Sequence, residues 1–157
     1  MSVEIERKFL VPDSGFLSGL QGERLTQGYI ASTAHATVRV RIAGERAWLT
    51  LKGRTEGVSR REFEYEIPLA HAEACIAELV SDPVIDKVRY RVAHNSHLWE
   101  VDVFHGDNAG LVLAEIELTR DDECFECPPW LGAEVSGDPR YYNSNLAKRP
   151  YRSWATT

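Results

Sequence analysis

The chain has 157 residues, 43% of them hydrophobic and 27% charged, with a formal net charge of −6. That length suits one domain, residues 1–157, able to bury about two-thirds of its unfolded surface, and the composition excludes a disordered or a membrane-embedded chain. The acidic balance disfavours general nucleic-acid binding, no apolar run approaches the roughly 20 residues that span a bilayer, and no signal-peptide core opens the chain, so a cytoplasmic protein with no nucleic-acid or membrane partner is expected.

Strands are predicted over residues 3–11, 24–32, 36–43, 46–53, 60–68, 86–93, 98–105 and 112–120. A helix is expected at 70–80, where Ala74, Ile76, Leu79 and Val80 have helical spacing, and a shorter one at 13–20. Turns are marked by Ala43-Gly44-Glu45, by residues 53–57, by His94-Asn95-Ser96 and by residues 106–110. No linker, low-complexity segment or repeat divides the chain. The expected class is α+β: eight strands, enough to close a small barrel, with helices packed outside.

Within those strands charge alternates with apolar residues. The charged sets are Glu4/Glu6/Lys8, Arg39/Arg41, Glu62/Glu64/Glu66, Lys87/Arg89/Arg91, Glu100/Asp102 and Glu115/Glu117, and the positions between them are mostly Val, Ile, Phe, Tyr or Leu. Successive strand residues point to opposite faces, so each segment has one charged and one apolar face. A single charged row is ordinarily the solvated side of a sheet. Here acidic and basic rows recur on most strands, and Arg-x-Arg or Lys-x-Arg rows would repel themselves on a flat surface unless neutralised. Curling the sheet so that the rows face inward resolves this, giving a barrel with a wet lumen lined by both signs of charge.

Such a lumen suits a polyanion held by Arg and Lys together with divalent cations held by Asp and Glu. Glu4 and Glu6 with Glu115 and Glu117 offer oxygen ligands for Mg²⁺ or Mn²⁺, whereas for Glu62, Glu64 and Glu66 a cross-strand salt bridge is an equal reading. Arg39, Arg41, Lys87 and Arg89 are donors suited to phosphate oxygens. Acidic and basic rows together describe a phosphoryl-transfer site, where catalysis is mostly positioning and charge neutralisation.

Three cysteines, an odd number, fit a reducing compartment. Cys124 and Cys127 form a C-x-x-C, but a second ligand pair and a strand-to-helix setting are both missing, and the motif is not read as a zinc or redox site. Cys75 reads as a core residue.

The opening Glu4-Ile-Glu6-Arg-Lys8 resembles the E-x-E-x-K signature of the CYTH family, the triphosphate tunnel metalloenzymes. Arg39-Val-Arg41, the strand ending Leu51-Lys52-Gly53, the Glu-rich strand 62–66, Lys87-Val-Arg89, Glu100-Val-Asp102 and Glu115-Ile-Glu117 follow in the family's order, and the tail from Trp130 to Pro150 is similar to that of its short bacterial single-domain members. The resemblance covers essentially the whole chain. It implies an eight-stranded antiparallel tunnel that takes a linear or organic triphosphate with Mg²⁺ or Mn²⁺. Carried over residue by residue, Lys8, Arg39, Arg41, Lys52, Lys87 and Arg89 would hold phosphates. Glu4, Glu6 and Glu117 would bind the metal, with Glu62, Glu64, Asp102 and Glu115 completing a second site or positioning the basic residues. Tyr29 would pair with Lys52 in proton transfer, a neutral Lys52 requiring its pKa to be lowered by the Arg and Lys rows. Tyr29 is equally readable as a core aromatic, and Lys148 either caps the tunnel or is an ordinary helix-end lysine.

The same resemblance covers hydrolysis of inorganic triphosphate, hydrolysis of thiamine or nucleoside triphosphates, and class IV-type cyclisation of ATP. A non-catalytic polyphosphate-binding module is the alternative outside enzymes, and a homodimer is left open. The compact chain favours the inorganic triphosphatase, because the others need a pocket for an organic group, for which Tyr29, His35, Trp48 and His97 are the ring-binding candidates.

Overall fold

The computed structural model describes residues 2–154. The strands are β1 (Ser2–Leu10), β2 (Glu23–Ser32), β3 (Ala36–Ala43), β4 (Arg46–Gly53), β5 (Ser59–Ile67), β6 (Ile85–His94), β7 (His97–Phe104) and β8 (Val112–Glu117), all where sequence periodicity puts them to within three residues at either end. They close into an antiparallel barrel in the order β1-β5-β4-β3-β2-β6-β7-β8. Two connections are two-residue hairpin turns at the predicted turn residues, with the left-handed backbone such turns require: Gly44 at φ 61° between β3 and β4, and Asn95 at φ 56° between β6 and β7.

Two helices complete the fold, α1 (Leu69–Leu79) and α2 (Asn143–Lys148). Helix α1 presents Leu69, Ala72, Cys75 and Ile76 to Val40, Ala47, Ile42, Leu49 and Ile67, the apolar positions of β3, β4 and β5, which fixes that side of the sheet as the outside. The expected face was different. Ala74 is exposed and Leu79 is 56% exposed, because the i, i+3, i+7 spacing of Leu69, Ala72 and Ile76 meets the sheet instead. Gly28 permits a close approach here: a Cβ would lie 2.9 Å from the Val80 side chain at the end of α1.

The helix expected at 13–20 is only a 3₁₀ turn, Gly15–Leu17. Gly19, at φ 85°, turns the chain out of helical geometry, and packing fixes the segment instead: Leu17 is buried and Phe16 stacks on Trp130 at 4.6 Å. This segment and the stretch containing Phe125, Trp130 and Leu131 cover the outer face of β1, β7 and β8 around the fully buried Trp99.

Unlike α1, helix α2 lies against one end of the charged side. Directly opposed residues in a ladder share a face, so Leu10↔Leu113, Lys87↔Phe104 and Gln27↔Ile85 extend the charged rows into an apolar zone on the same face. Leu146, Ala147 and Tyr141 pack on Tyr29, Ile85, Phe104 and Leu113 there. The expectation that every helix lies outside therefore holds for α1 alone.

Trp99 meets the rings of Phe9, Phe125 and Trp130 edge-on at 5.6–5.7 Å, while its buried Nε1 has no hydrogen-bond partner. Trp99→Ala is expected to cost about 3–5 kcal/mol. Trp99→Phe should cost less than half as much, since it keeps an aromatic body and removes an unsatisfied donor. Urea unfolding of the two variants checks both values; equal losses would mean that the Trp99 ring contacts are not what stabilises this cluster.

Candidate active site

Cross-strand register brings the charged rows together. Around the closed sheet, Glu6 faces Glu117, Lys8 faces Glu115, Glu4 faces Arg60, Lys52 faces Glu62, Glu64 faces Thr50, Thr50 faces Arg39, Arg39 faces Tyr29, and Arg89 faces Asp102. One cavity of about 270 Å³ is lined by Glu4, Glu6 and Lys8 of β1, Tyr29 of β2, Arg39 and Arg41 of β3, Lys52 of β4, Glu62 and Glu64 of β5, Lys87 and Arg89 of β6, and Glu115 and Glu117 of β8. Of the residues assigned from sequence to catalysis, phosphate or metal, Asp102 alone is missing from this lining.

Asp102 instead lies beneath the basic row, 1% exposed. Its two oxygens accept from Arg89 Nε at 2.8 Å and Nη2 at 2.9 Å, and Lys87 Nζ is 2.9 Å away. Burial alone would raise the Asp102 carboxyl, but Arg89 and Lys87 hold it far below the carboxylate range. Burial pushes Lys87 down to about 7, against the pull of Asp102 and helped by Arg89 and Arg41. Burial, Arg39 and Arg89 likewise push Arg41 down to about 10, which leaves it charged at neutral pH. Lys52 donates to both Glu4 oxygens at 3.0 Å and lies 3.5 Å from Glu62, because β4 sets it beside β5 and within reach of β1.

Carboxylates crowd the opposite wall. Burial, Glu115 and Glu4 push Glu6 well above the carboxylate range, and its hydrogen bond with Glu115 makes it the protonated partner. A hydrogen bond with Glu4 pushes Glu62 up to about 7, and burial adds to it. Glu115 is held down to about 2 despite burial, by Lys8, Arg89 and the bond from Glu6, and Glu4 is lowered against its own burial by Lys52 and Glu62. Burial, Glu4 and Glu100 raise Glu117. Glu6, Glu62 and Glu117 are raised because burial and much negative charge meet in one place. Their donor set is oxygen only, as a hard divalent cation prefers, and such a cation would replace their protons. Among the described residues no three acidic, His or Cys side chains surround a common ion position; the Lys52 ammonium stands between Glu4 and Glu62.

On the basic side, Arg39 reaches Thr50 Oγ1 at 3.2 Å and Glu64 at 3.4 Å, and its buried Nε has no hydrogen-bond partner. Arg39 as a residue lines the polar cavity, and a guanidinium there is suited to an anion's oxygens. Lys8 Nζ donates to the Tyr141 carbonyl at 3.1 Å. A second cavity of about 290 Å³ adjoins the first, sharing Thr37, Thr55, Arg60, Tyr142 and Ser144 with it and adding Arg54.

The sequence profile of the CYTH domain matches residues 2–151. The chain belongs to the CYTH domain family. It is 46% identical over 154 residues to a protein of Acetivibrio thermocellus named inorganic triphosphatase, covering 98% of this chain and 99% of that one. A protein of Nitrosomonas europaea with the same name is 38% identical over 149 residues, covering 92% and 96%. A crystal structure described as an inorganic triphosphatase superposes with a TM-score of 0.66 at 35% identity, covering 92% of this chain and 97% of its own.

Within the CYTH barrel the structure adds residues that charge periodicity missed. Thr37, Thr50 and Arg60 share the period-2 positions of the rows and could have been found by extending them one step. Gln27 is uncharged, and Asn143 and Tyr142 come from the C-terminal segment, which carries no periodic signal. Lys148, proposed as a cap, is exposed at the end of α2 and outside both cavities; Tyr142, Asn143 and Ser144 occupy that side. Of the ring-binding candidates only Tyr29 lines the cavity. Arg46 lies over Trp48 at 5.1 Å, His35 is exposed, and His97 Nε2 pairs with Glu123 at 2.6 Å.

Because its carboxyl is depressed in the folded state, Asp102 contributes stability that is fully present above the ordinary Asp value of about 3.9 and is lost as pH falls below it. Asp102→Asn leaves Arg89 and Lys87 without their buried counter-charge, an expected loss of about 3–5 kcal/mol at pH 7. Urea unfolding of both proteins from pH 7 to pH 3 should show that difference shrinking below about pH 4. A pH-independent gap would contradict the charge pairing.

Proposed function

We propose that this CYTH protein hydrolyses inorganic triphosphate to pyrophosphate and phosphate inside a charged barrel lumen, using Mg²⁺ or Mn²⁺. The observation that carries it is the cavity itself, where the carboxylates of Glu4, Glu6, Glu62, Glu115 and Glu117 face the basic side chains of Lys8, Arg39, Arg41, Lys87 and Arg89. The two relatives named inorganic triphosphatase, matched over nearly their full lengths, support the same substrate. Residues 1–157 are read as one domain. No helix among the described residues is long and apolar enough to cross a membrane. The odd number of thiols supports the reading of a cytoplasmic protein.

In this reading Arg39, Arg41, Arg89, Lys8 and Lys87 bind and align the phosphate chain, with Asp102 holding Arg89 and Lys87 in place. Glu4, Glu6 and Glu117 would hold the metal, and Glu62, Glu64 and Glu115 complete or orient that wall. A bound divalent cation supplies neutralisation of phosphate charge and acidification of water. Lys52, hydrogen-bonded to Glu4, orients the carboxylate wall and the attacking water. Tyr29 faces the same cavity and supplies a hydroxyl to the reacting phosphate. Water adds to a terminal phosphorus, the bridging P–O bond breaks, and pyrophosphate leaves. Cyclisation of ATP would need its ribose hydroxyl held in line with the α-phosphorus, and no ring-binding cluster is assembled at the cavity for that.

Chelation by EDTA should abolish phosphate release from tripolyphosphate, with Mg²⁺ or Mn²⁺ restoring it. Glu6→Gln and Glu117→Gln should each lower turnover strongly while the barrel's circular dichroism is retained. Turnover that survives both chelation and the Gln variants would overturn the metal assignment. The decisive comparison is kcat/KM for tripolyphosphate against ATP and thiamine triphosphate, with cyclic AMP assayed directly, and preference for either organic substrate would replace the inorganic reading.

Arg39→Ala and Arg41→Ala should each reduce kcat/KM by roughly ten- to a hundred-fold, the value of one charge-assisted contact of about 1.5–3 kcal/mol. Arg41→Lys should remain impaired, since an ammonium cannot bridge two oxygens as the planar fork does. Steady-state kinetics of the three variants, with thermal unfolding to confirm folding, gives the answer.

A further inference from the structure

Gln27 is fully buried on β2, and both ends of its amide are occupied. Oε1 accepts from Arg41 Nε at 2.9 Å. Nε2 donates to the Tyr29 hydroxyl oxygen at 2.9 Å and to Asn143 Oδ1 at 3.2 Å, and the same Asn143 oxygen accepts from Lys87 Nζ at 2.9 Å. The direction of these bonds is forced. A guanidinium Nε can only donate, so the amide oxygen of Gln27 must face Arg41 and its nitrogen must face Tyr29 and Asn143.

Two consequences follow for groups that line the cavity. The Tyr29 oxygen receives a hydrogen bond from Gln27, so its single proton is left to donate elsewhere. Arg41 has its Nε tied to Gln27, so its two terminal nitrogens are left to meet an anion in a fixed plane. An aliphatic side chain at position 27 would constrain neither group. The α2 end of the chain enters the same arrangement through Asn143, which ties the C-terminal segment to Lys87 and Gln27 together.

We propose that Gln27 is a positioning residue of the active site, one that presents Arg41 as a two-pronged phosphate donor and Tyr29 as a hydrogen-bond donor to the same bound triphosphate. This rests on the triphosphatase reading. Gln27 touches no substrate itself; it acts through the two side chains it holds, and Asn143 fixes its amide from the far side.

The test is a pair of double-mutant cycles read by tripolyphosphate hydrolysis, with kcat and KM separated and folding checked by thermal unfolding. Gln27→Met keeps length and removes both hydrogen-bonding ends. It should lower kcat/KM at least about tenfold, with KM raised and kcat lowered. In a Tyr29→Phe background its effect on kcat should disappear while its effect on KM remains; in an Arg41→Ala background the effect on KM should disappear. Gln27→Glu retains the acceptor for Arg41 but not the donor to Tyr29, so its kcat should match Tyr29→Phe and fall no further in the double variant. That variant decides the matter if Gln27→Met does not fold. Wild-type kinetics in folded Gln27→Met or Gln27→Glu, or losses that simply multiply in both cycles, would overturn the positioning role alone. A wild-type protein that does not turn over tripolyphosphate would overturn the triphosphatase reading instead.

Discussion

The arrangement of the site depends on β1 being hydrogen-bonded along both edges, to β8 over Glu6–Leu10 and to β5 over Ser2–Ile5. That closure gives the sheet an inside. Because side chains alternate strictly along a strand and opposed residues share a face, one register fixes where every charge must go. Glu6 meets Glu117 and Lys8 meets Glu115, so the acidic row continues across the seam and Lys8 finds a carboxylate there. A slip of one residue would put Ile5, Arg7 and Phe9 inside and turn the site outward.

Closure also concentrates like charges, and the structure handles the two signs differently. On the basic side a buried counter-charge is built in: Asp102 takes both prongs of Arg89 and the ammonium of Lys87. Replacing one member would leave charge buried without compensation, which is why such a group is held by geometry and not by solvent. On the acidic side no fixed cation answers all the carboxylates. Lys52 serves Glu4 and Glu62, Lys8 and Arg89 hold Glu115 down, and the crowding raises Glu6 well above its ordinary range and Glu62 to about 7. Carboxyl groups raised by one another's charge are suited to exchange protons for a harder cation.

The C-terminal segment has a part in this as well. Leu146, Ala147 and Tyr141 cover the apolar end of the same face, while Asn143 and the Tyr141 carbonyl accept from Lys87 and Lys8. One short stretch therefore buries the end of the barrel and supplies acceptors to two cationic side chains. Its apolar and polar contacts reinforce each other, since the packing of Leu146 sets the position from which Asn143 reaches Gln27 and Lys87.

Much of this was legible in the sequence because a strand's period of two is local. Each row, from Glu4/Glu6/Lys8 to Glu115/Glu117, could be read without knowing its neighbours, and charges of one sign at alternate positions left inward curvature as the physical resolution. Gly44 and Asn95 announced their hairpins for the same local reason. What the sequence could not determine was anything that depends on which strands meet. Lys52 falls beside Glu4 and Glu62 because β4 neighbours β5, and Lys87 falls beside Arg89 and Asp102, so only the strand order decided which charges each lysine meets. The face of α1 was misread because helical spacing offers several apolar stripes and the sheet selects one. Gln27 and Asn143 carry no charge and no period, and they acquire a role only when three strands and the C-terminal segment bring Arg41, Tyr29 and Lys87 within hydrogen-bonding distance of their amides.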